Sequence, residues 1–364
     1  MGRTPGRGRR SRARWAALAG ALAATVSVAT SVPASAASDG PGAHHHAARG
    51  HGGGPSVPEF DAPTSVALAG NDLFVTNGAG NSVTEVSGTD GSRIATVSSR
   101  RFGFDGPTAI AAVGGDLFVA NGKGNTVTEL AAATRKRVRI LKGARYGFAD
   151  PVALAASGPD LFVLNGAGSI TEVTVAKGTL VGRVAGPAFG FDAPTGLAVA
   201  DGEVFVANSA GDTVTVVRAS TRGLVAVLSD PSFGFSTPVG VAFDGTDVWV
   251  TNQADESVTE IAPTSLQALN VFVSGNLPMV GPIAYGDGYV FAVSPPGSSP
   301  MVTQIVPSPA AVTWMMCNTN GPYLFDDPES LVVDGSNLWV ANEGGNSLTE
   351  MDADSGDLLR TVTG

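Results

Sequence analysis

A five-residue segment recurs seven times between residue 73 and the C-terminus, and this repetition constrains the fold more than any other feature. The copies read LFVTN, LFVAN, LFVLN, VFVAN, VWVTN, VFAVS and LWVAN, and they end at Asn77, Asn121, Asn165, Asn208, Asn252, Ser294 and Asn342. In six copies a proline lies 14 residues before the last residue, and successive prolines are 43 to 46 residues apart. A period of this length is typical of propellers and other repeat architectures.

Each unit contains four short apolar runs separated by turn residues. In the second unit the runs begin at Pro107, Leu117, Thr126 and Arg137, with Gly, Asn and Asp between them. Short runs rich in Val, Ile, Thr and Phe indicate strands. We therefore predict an all-β fold over residues 59–364, a seven-bladed β-propeller with four antiparallel strands per blade. The first strand, which carries small side chains, should be innermost, and blade 1 should close the ring by packing against blade 7.

Other recurring positions have simple structural interpretations. An aromatic-Gly-aromatic motif, such as Phe102-Gly103-Phe104, precedes most blades and should pack one blade against the next. The asparagine that ends each second strand is predicted to adopt the left-handed conformation and bond the next turn. A Thr-Glu pair follows in the third strand. Because Val216 replaces the acid in one blade, we interpret this position as interblade hydrogen bonding.

The N-terminal region differs from the repeats. Within residues 1–36, six arginines precede an Ala/Leu/Val-rich run and the segment Ala34-Ser35-Ala36, a pattern typical of a secretory signal peptide. A retained membrane anchor is the alternative. Residues 37–58 resemble a flexible, disordered linker and contain all four histidines, His44, His45, His46 and His51. These histidines suit weak metal binding or, more simply, a solvated tail.

Removal of residues 1–36 would leave 16 basic and 32 acidic side chains. A surface this acidic argues against nucleic acid and anionic membranes as partners. The single cysteine, Cys317, has no partner for an internal disulfide. The basic run at residues 135–139 lies on a predicted outermost strand, where charge prevents pairing between sheet edges. We predict a monomer that is secreted into the medium or held at the cell wall.

The anchors LFVTN, LFVAN and LWVAN, with the segments NSVTEV, NTVTEL and NSLTEM that follow them, resemble the YVTN and NHL families of propeller repeats. That resemblance implies a recognition platform or a secreted protein without known chemistry. The repeats are also similar to those of streptogramin B (virginiamycin) lyase and gluconolactonase-type propellers. The lyase resemblance implies a catalytic histidine near a metal in the channel, but no histidine follows His51 in this sequence.

Two sets of residues are candidates for a functional site. Blade 6 breaks the repeat and introduces Tyr285, Tyr289 and Trp314, which would form a binding patch if exposed. The alternative is sequence drift in a blade that only closes the ring. Acids that precede the blade prolines could hold Ca²⁺ or Mg²⁺ at one mouth of the channel, although Asx turns also explain them. These acids are Asp61, Asp105, Asp192 and Asp326, with Asp150 and Asp327 one position later.

Two functions follow from these observations. The first is a noncatalytic module that binds a protein or a cell-surface ligand, without a cofactor. The second is a metal-dependent hydrolase or lyase that uses the channel-mouth acids. A structural role in the cell envelope is a third interpretation.

Overall fold

The short apolar runs form strands throughout the part of the chain that the computed structural model describes, which comprises residues 60–273, 281–294, 301–307, 310–317 and 325–363. These strands make seven sheets, each with four antiparallel strands in sequence order. The predicted all-β, seven-bladed propeller is therefore confirmed. The predicted signal peptide (1–36) and linker (37–58) lie outside the described residues. In the described part, no helix is both long and apolar enough to cross a membrane.

Blades 1 to 4 are regular. Blade 1 comprises β1 (Pro63–Ala69), β2 (Asp72–Asn77), β3 (Ser82–Ser87) and β4 (Arg93–Val97). Blade 2 comprises β5 (Pro107–Val113), β6 (Asp116–Asn121), β7 (Thr126–Ala131) and β8 (Lys136–Leu141). Blade 3 comprises β9 (Pro151–Ser157), β10 (Asp160–Asn165), β11 (Ser169–Thr174) and β12 (Leu180–Ala185). Blade 4 comprises β13 (Pro194–Ala200), β14 (Glu203–Asn208), β15 (Thr213–Arg218) and β16 (Leu224–Leu228).

Blades 5 to 7 have the same topology. Blade 5 comprises β17 (Pro238–Phe243), β18 (Val248–Asn252), β19 (Ser257–Ala262) and β20 (Gln267–Val273). Blade 6 comprises β21 (Ile283–Gly286), β22 (Tyr289–Val293), β23 (Met301–Pro307) and β24 (Ala310–Cys317). Blade 7 comprises β25 (Pro328–Asp334), β26 (Asn337–Asn342), β27 (Ser347–Asp352) and β28 (Leu358–Thr363). Three short 3₁₀ turns, Arg100–Phe102, Pro187–Phe189 and Pro231–Phe233, lie in the loops before blades 2, 4 and 5.

The first strands of neighbouring blades contact one another around the ring, which places them innermost as predicted. Blade 1 meets blade 7 in the same way. The backbone N–H of Ala62 donates to Asn346 Oδ1 (2.7 Å), and the N–H of Val66 donates to Ser330 Oγ (3.2 Å). Both ends of the ring are complete blades, so closure depends on packing and side-chain hydrogen bonds, without exchange of a strand.

The hydrophobic core is divided into seven clusters, each shared by two adjacent blades. Trp249 and Trp339 are fully buried in two of these clusters. Second and third strands have apolar residues on both faces because a neighbouring blade covers each face. Burial of one large apolar side chain contributes about 1.5 to 3 kcal/mol, so the interfaces between blades hold the ring together.

The aromatic loops wedge between blades, as the sequence predicts. Phe102 and Phe104 stack with ring centroids 5.7 Å apart, and three later loops contain equivalent stacked pairs. Gly103 makes this stacking feasible, because it adopts the left-handed conformation (φ 68°) and leaves room for Ile140. Thr128 Oγ1 donates to the carbonyl of Phe102 (2.9 Å), which fixes the loop against the third strand.

The prediction for the recurring asparagine is wrong in its backbone conformation. Asn121 does not have a positive φ, whereas Asn125, four positions later, has φ 51°. The side chain of Asn121 is instead a buried connector. Its Nδ2 donates to Thr126 Oγ1 (3.1 Å) and Thr128 Oγ1 (3.2 Å), and its Oδ1 accepts from the backbone N–H of Asp105 (3.3 Å). The asparagine therefore ties the end of the second strand to the third strand and to the preceding loop.

The residue with positive φ provides a link between blades. Asn125 Oδ1 accepts from the N–H of Asp150 in the next blade (2.6 Å). The same link occurs from blade 1 to 2, from blade 4 to 5 and from blade 7 to 1. Asn and Asp tolerate the left-handed conformation and supply the acceptor, which explains their use at this position.

Candidate functional site

The acids of the third strands are buried, and each requires a partner. Glu85 and Glu172 are paired across the blade interface. Arg135 Nη1 lies 2.6 Å from Glu85 Oε2, and Arg222 Nη1 lies 2.9 Å from Glu172 Oε2. For these two acids the predicted interblade bonding is confirmed.

In three other blades the partner comes from the outermost strand of the same blade, so the interblade prediction is wrong there. The pairs are Glu129 with Arg139, Glu260 with Asn270, and Glu350 with Arg360. Burial raises the pKa of Glu129 to about 7, although Arg139 opposes the shift. Burial likewise raises the pKa of Glu260 and Glu350.

The residue opposite the acid on the outermost strand differs between the two arrangements: it is small, Ala95 or Gly182, where the arginine comes from the next blade. Where Arg222 reaches Glu172 from the next blade, the residue opposite Glu172 is Gly182, and a Cβ there would lie 2.4 Å from Arg222 Nε. In blade 4 Val216 replaces the acid. The residue equivalent to Arg222 in the next blade is Leu266, which packs against the hydrophobic cluster that contains Val216. The chain thus contains both a charged and an apolar version of one interblade contact.

The tyrosines of the predicted binding patch point into different interfaces. Tyr285, half-buried at the end of β21, packs on the cluster between blades 5 and 6, which contains Trp249. Tyr289, at the start of β22, packs on the cluster between blades 6 and 7 and donates to Asp354 Oδ1 of blade 7 (2.6 Å). The two rings therefore do not form one continuous aromatic surface.

Trp314 lies on β24, opposite Gln304 of β23. Two strands separate it from Tyr285, which pairs with Val290. The side chains from Trp314 to Cys317 lie outside the described residues, so their part in a binding patch stays a prediction.

Blade 6 also lacks the buried connector of the other blades. Ser294 replaces the asparagine, and its Oγ accepts a local bond from the N–H of Met301 (2.8 Å). Thr303 Oγ1 is buried and has no hydrogen-bond partner among the described residues. Gln304, in place of the acid, donates to the carbonyl of Ala353 in blade 7 (2.6 Å).

The predicted channel-mouth acids are distributed one to a blade. Asp61, Asp105 and Asp326 each accept, through the backbone carbonyl, a bond from a glycine in the second turn of their own blade. Asp192 makes the equivalent bond with Ala210. In the described ranges, no three His, Cys, Asp or Glu side chains come close enough to hold a metal ion. The Ca²⁺ or Mg²⁺ site therefore stays a prediction.

Asp150 and Asp327 have a backbone role. Each precedes a blade proline and has a positive φ, 55° and 50°. Other blades place Ala62, Gly106 or Thr237 in the same left-handed position. Asp tolerates this conformation better than most side chains, so no ligand is needed to explain these two acids.

Glu329, the second residue of β25, is a titratable group that the sequence analysis missed. It is 5% exposed and hydrogen-bonds to Glu343, the residue that follows the asparagine of blade 7. Burial and the nearby charges of Glu343 and Asp327 raise its pKa to about 9. A signal was present in the sequence, because the other blades carry no acid here. Their residues are Thr64, Thr108, Val152, Thr195, Val239 and Ile283.

Charge is unevenly distributed along the chain, and the sequence analysis missed this feature because it considered only the total charge. Residues 60–222, which form blades 1 to 4 up to β16, contain 14 basic and 14 acidic side chains. Residues 223–364 contain 16 acids and a single base, Arg360. One half of the ring is therefore close to neutral and the other half is strongly acidic.

No protein-family model matches this chain, and no curated protein matches it either. The chain is similar in fold to hydrazine synthase of Kuenenia stuttgartiensis, with a TM-score of 0.59 and 19% identity over 69% of this chain and 78% of that one. It is also similar to the computationally designed Ika8 protein, with a TM-score of 0.58 and 18% identity over 83% of this chain and 87% of that one. Similarity at this level of identity shows the propeller fold alone.

Proposed function

We propose that this chain is a secreted, noncatalytic binding module of the YVTN/NHL propeller type, and that its partner is a basic protein or another cationic ligand at the cell surface. The observation that carries the proposal is the acidic half of the ring, where 16 acids accompany one base in residues 223–364. A surface of one sign steers and selects partners of the opposite sign.

The recognition surface is the set of turns between first and second strands, and between third and fourth strands, in blades 5 to 7. Because strand direction alternates, all these turns lie at the same end of the propeller. They carry Asp244, Asp287 and Asp354 close to the two tyrosines of blade 6. Burial, followed by the charges of Asp244 and Asp287, raises the pKa of Tyr285. We call these three acids with Tyr285 and Tyr289 the acidic turn face.

The acidic turn face suits lysine and arginine side chains. Carboxylates accept charge-assisted hydrogen bonds, and a tyrosine ring attracts a cation at its face. The bond from Tyr289 to Asp354 fixes one acid and one ring across the interface between blades 6 and 7. Such a surface binds without any catalytic group.

The test uses fluorescent oligolysine as a probe, titrated against the full chain at low and moderate salt. The triple variant Asp244→Asn, Asp287→Asn, Asp354→Asn should weaken binding by about tenfold or more, since three charges are lost and each side chain keeps an acceptor. The matched control is Asp116→Asn, Asp160→Asn, Asp201→Asn, which removes equal charge at the same end of blades 2 to 4. Equal losses in both variants would reject the assigned surface.

A hydrolase or lyase remains the second candidate, and the pair Glu329–Glu343 is the observation that favours it. A protonated acid beside a carboxylate is an arrangement that enzymes use for general acid–base catalysis. The metal-dependent version requires tight, stoichiometric Ca²⁺ or Mg²⁺ binding that Asp105→Ala plus Asp192→Ala abolishes. Calorimetric titration of the full chain with either ion measures this directly.

A further inference from the structure

Positive charge is concentrated on the outermost strand of blade 2, β8, and in the loops before and after this blade. This region is separate from the acidic turn face. Residues 98–145 contain nine basic and three acidic side chains. Seven of the bases are exposed. Six of these seven lie on β8 or in the loops before and after blade 2, and we call these six the basic edge. They are Arg100, Arg101, Lys136, Arg137, Lys142 and Arg145.

The basic edge is distinct from the arginines that the fold requires. Arg135 and Arg139 neutralise the buried acids Glu85 and Glu129. Among the described residues, none of the six basic-edge side chains forms an ion pair. Protection of the sheet edge, the interpretation from sequence, accounts for a charge on β8, but it does not account for the bases in both flanking loops.

The basic edge is held in place by specific contacts. Arg137 Nη1 donates to the backbone carbonyl of Arg101, which joins β8 to the loop before blade 2. The guanidinium carbon of Arg101 lies 4.9 Å from the ring centroid of Phe102. On the other side of β8, Arg145 lies 4.6 Å from the ring centroid of Tyr146 and donates to its hydroxyl (2.8 Å). Like charges are thus brought together without acids to neutralise them.

We propose that the basic edge is a binding site for a polyanion whose charges are phosphate or carboxylate groups on a flexible backbone. Guanidinium groups bind both kinds of oxyanion, often through two hydrogen bonds at once. The chain as a whole is acidic, so attraction is confined to this part of the rim. Binding therefore requires an extended ligand that spans several bases.

The aromatic residues at the basic edge favour a polymer without nucleobases. Recognition of single-stranded nucleic acid requires exposed rings on which bases stack. Phe102 and Tyr146 are 3% and 2% exposed, and each packs beneath an arginine of the basic edge. The ligand contact at this site is therefore made by charge.

Binding of inorganic polyphosphate and of poly-L-glutamate to the full chain, measured across a range of salt concentrations, tests the proposal. Lys136→Gln plus Arg137→Gln should weaken binding about tenfold to 50-fold near 0.1 M salt and lower the salt slope by about 1.5, as expected for two lost charge contacts. Lys123→Gln plus Lys177→Gln, which removes two exposed charges elsewhere, should change the affinity less than about twofold. All variants share the arginines of residues 1–59.

Three results would overturn the proposal. The first is an equal loss of affinity in the two double variants, with both still folded by thermal melting. The second is tighter binding of duplex DNA than of polyphosphate with the same number of charges, which would indicate a nucleic-acid site. The third is self-association at low salt that Lys136→Gln plus Arg137→Gln abolishes, which would make the acidic half of a second copy the occupant. A charge-preserving variant, Lys136→Arg plus Arg137→Lys, should retain polyanion binding.

Discussion

The pair Arg222–Glu172 offers a sharp test of how the blades are held together, because the chain itself contains an apolar replacement. At the next interface Val216 and Leu266 occupy the two positions, and Arg222 and Leu266 share a left-handed backbone, with φ 60° and 53°. Replacement of Arg222 by leucine therefore introduces no new backbone strain. We consider Arg222→Leu, Glu172→Val and the double variant.

The expected cost follows from burial. Removal of one partner from a fully buried ion pair costs about 3 to 5 kcal/mol. The Arg222 side chain is 32% exposed and that of Glu172 is 5% exposed, so water screens part of this interaction. We expect Arg222→Leu to cost about 2 to 3 kcal/mol. Glu172→Val should cost about 1 kcal/mol or less, because the longer arginine side chain can still reach water.

The double variant should recover most of the loss and lie within about 1 kcal/mol of the parent, since well-packed apolar groups replace buried ion pairs without penalty. The coupling energy in the double-mutant cycle would be about 2 kcal/mol. In thermal melts, Arg222→Leu alone should lower Tm by about 3 to 5 °C, because the entropy of unfolding of a fold this large is high. A double variant no more stable than Arg222→Leu would refute the idea that the two positions are matched.

Two further predictions concern buried polar groups. Asn208→Ala should destabilise the fold by about 2 to 3 kcal/mol, because the amide donates to Thr213 (3.1 Å) and Thr215 (2.9 Å) in a fully buried site. Equilibrium unfolding measures this. The control is Ser209→Ala, which removes one hydrogen bond, to the carbonyl of Ala193, at a half-buried position; an effect of Asn208→Ala no larger than that of the control would contradict the prediction. Glu329, with a pKa raised to about 9, keeps its proton in the folded state between roughly pH 4.5 and 9 while the unfolded chain loses it, so its contribution to stability declines as pH rises through that range. As the pH rises from 5 to 9, the free energy of unfolding of Glu329→Gln should therefore increase by roughly 2 to 5 kcal/mol relative to that of the parent. A difference in Tm between the two proteins that is constant with pH would show that the pKa of Glu329 is not raised.

Local patterns predicted the secondary structure and the architecture well. The prolines, the turn glycines and the alternation of small residues in the first strand locate the strands, because each of these signals depends only on nearby residues. The period of the repeat then gives the number of blades. The backbone conformation of the recurring asparagine was predicted incorrectly, and its more distant partners, such as Thr128 and Asp105, were not predicted because folding brings them to it.

The candidate site was predicted less well from the sequence. Tyr285 and Tyr289 are four residues apart, and the sequence suggested one aromatic patch. Their side chains point to opposite faces of blade 6, because Tyr285 pairs with Val290, the neighbour of Tyr289, in the β21–β22 hairpin. One ring therefore packs towards blade 5 and the other towards blade 7. The partners of the third-strand acids could not be predicted from the sequence either. Arg135, for example, lies 50 residues from Glu85 along the chain.

The sequence alone determined that the chain forms seven similar four-stranded sheets and that its charge is unevenly distributed, because repetition and composition are properties of the chain itself. Only the tertiary structure decided which arginine neutralises which buried acid, which tyrosine meets which blade, and which bases of the basic edge form no ion pair within the described part of the chain. Those outcomes depend on contacts between residues far apart in the chain, and such contacts exist only after the ring has closed.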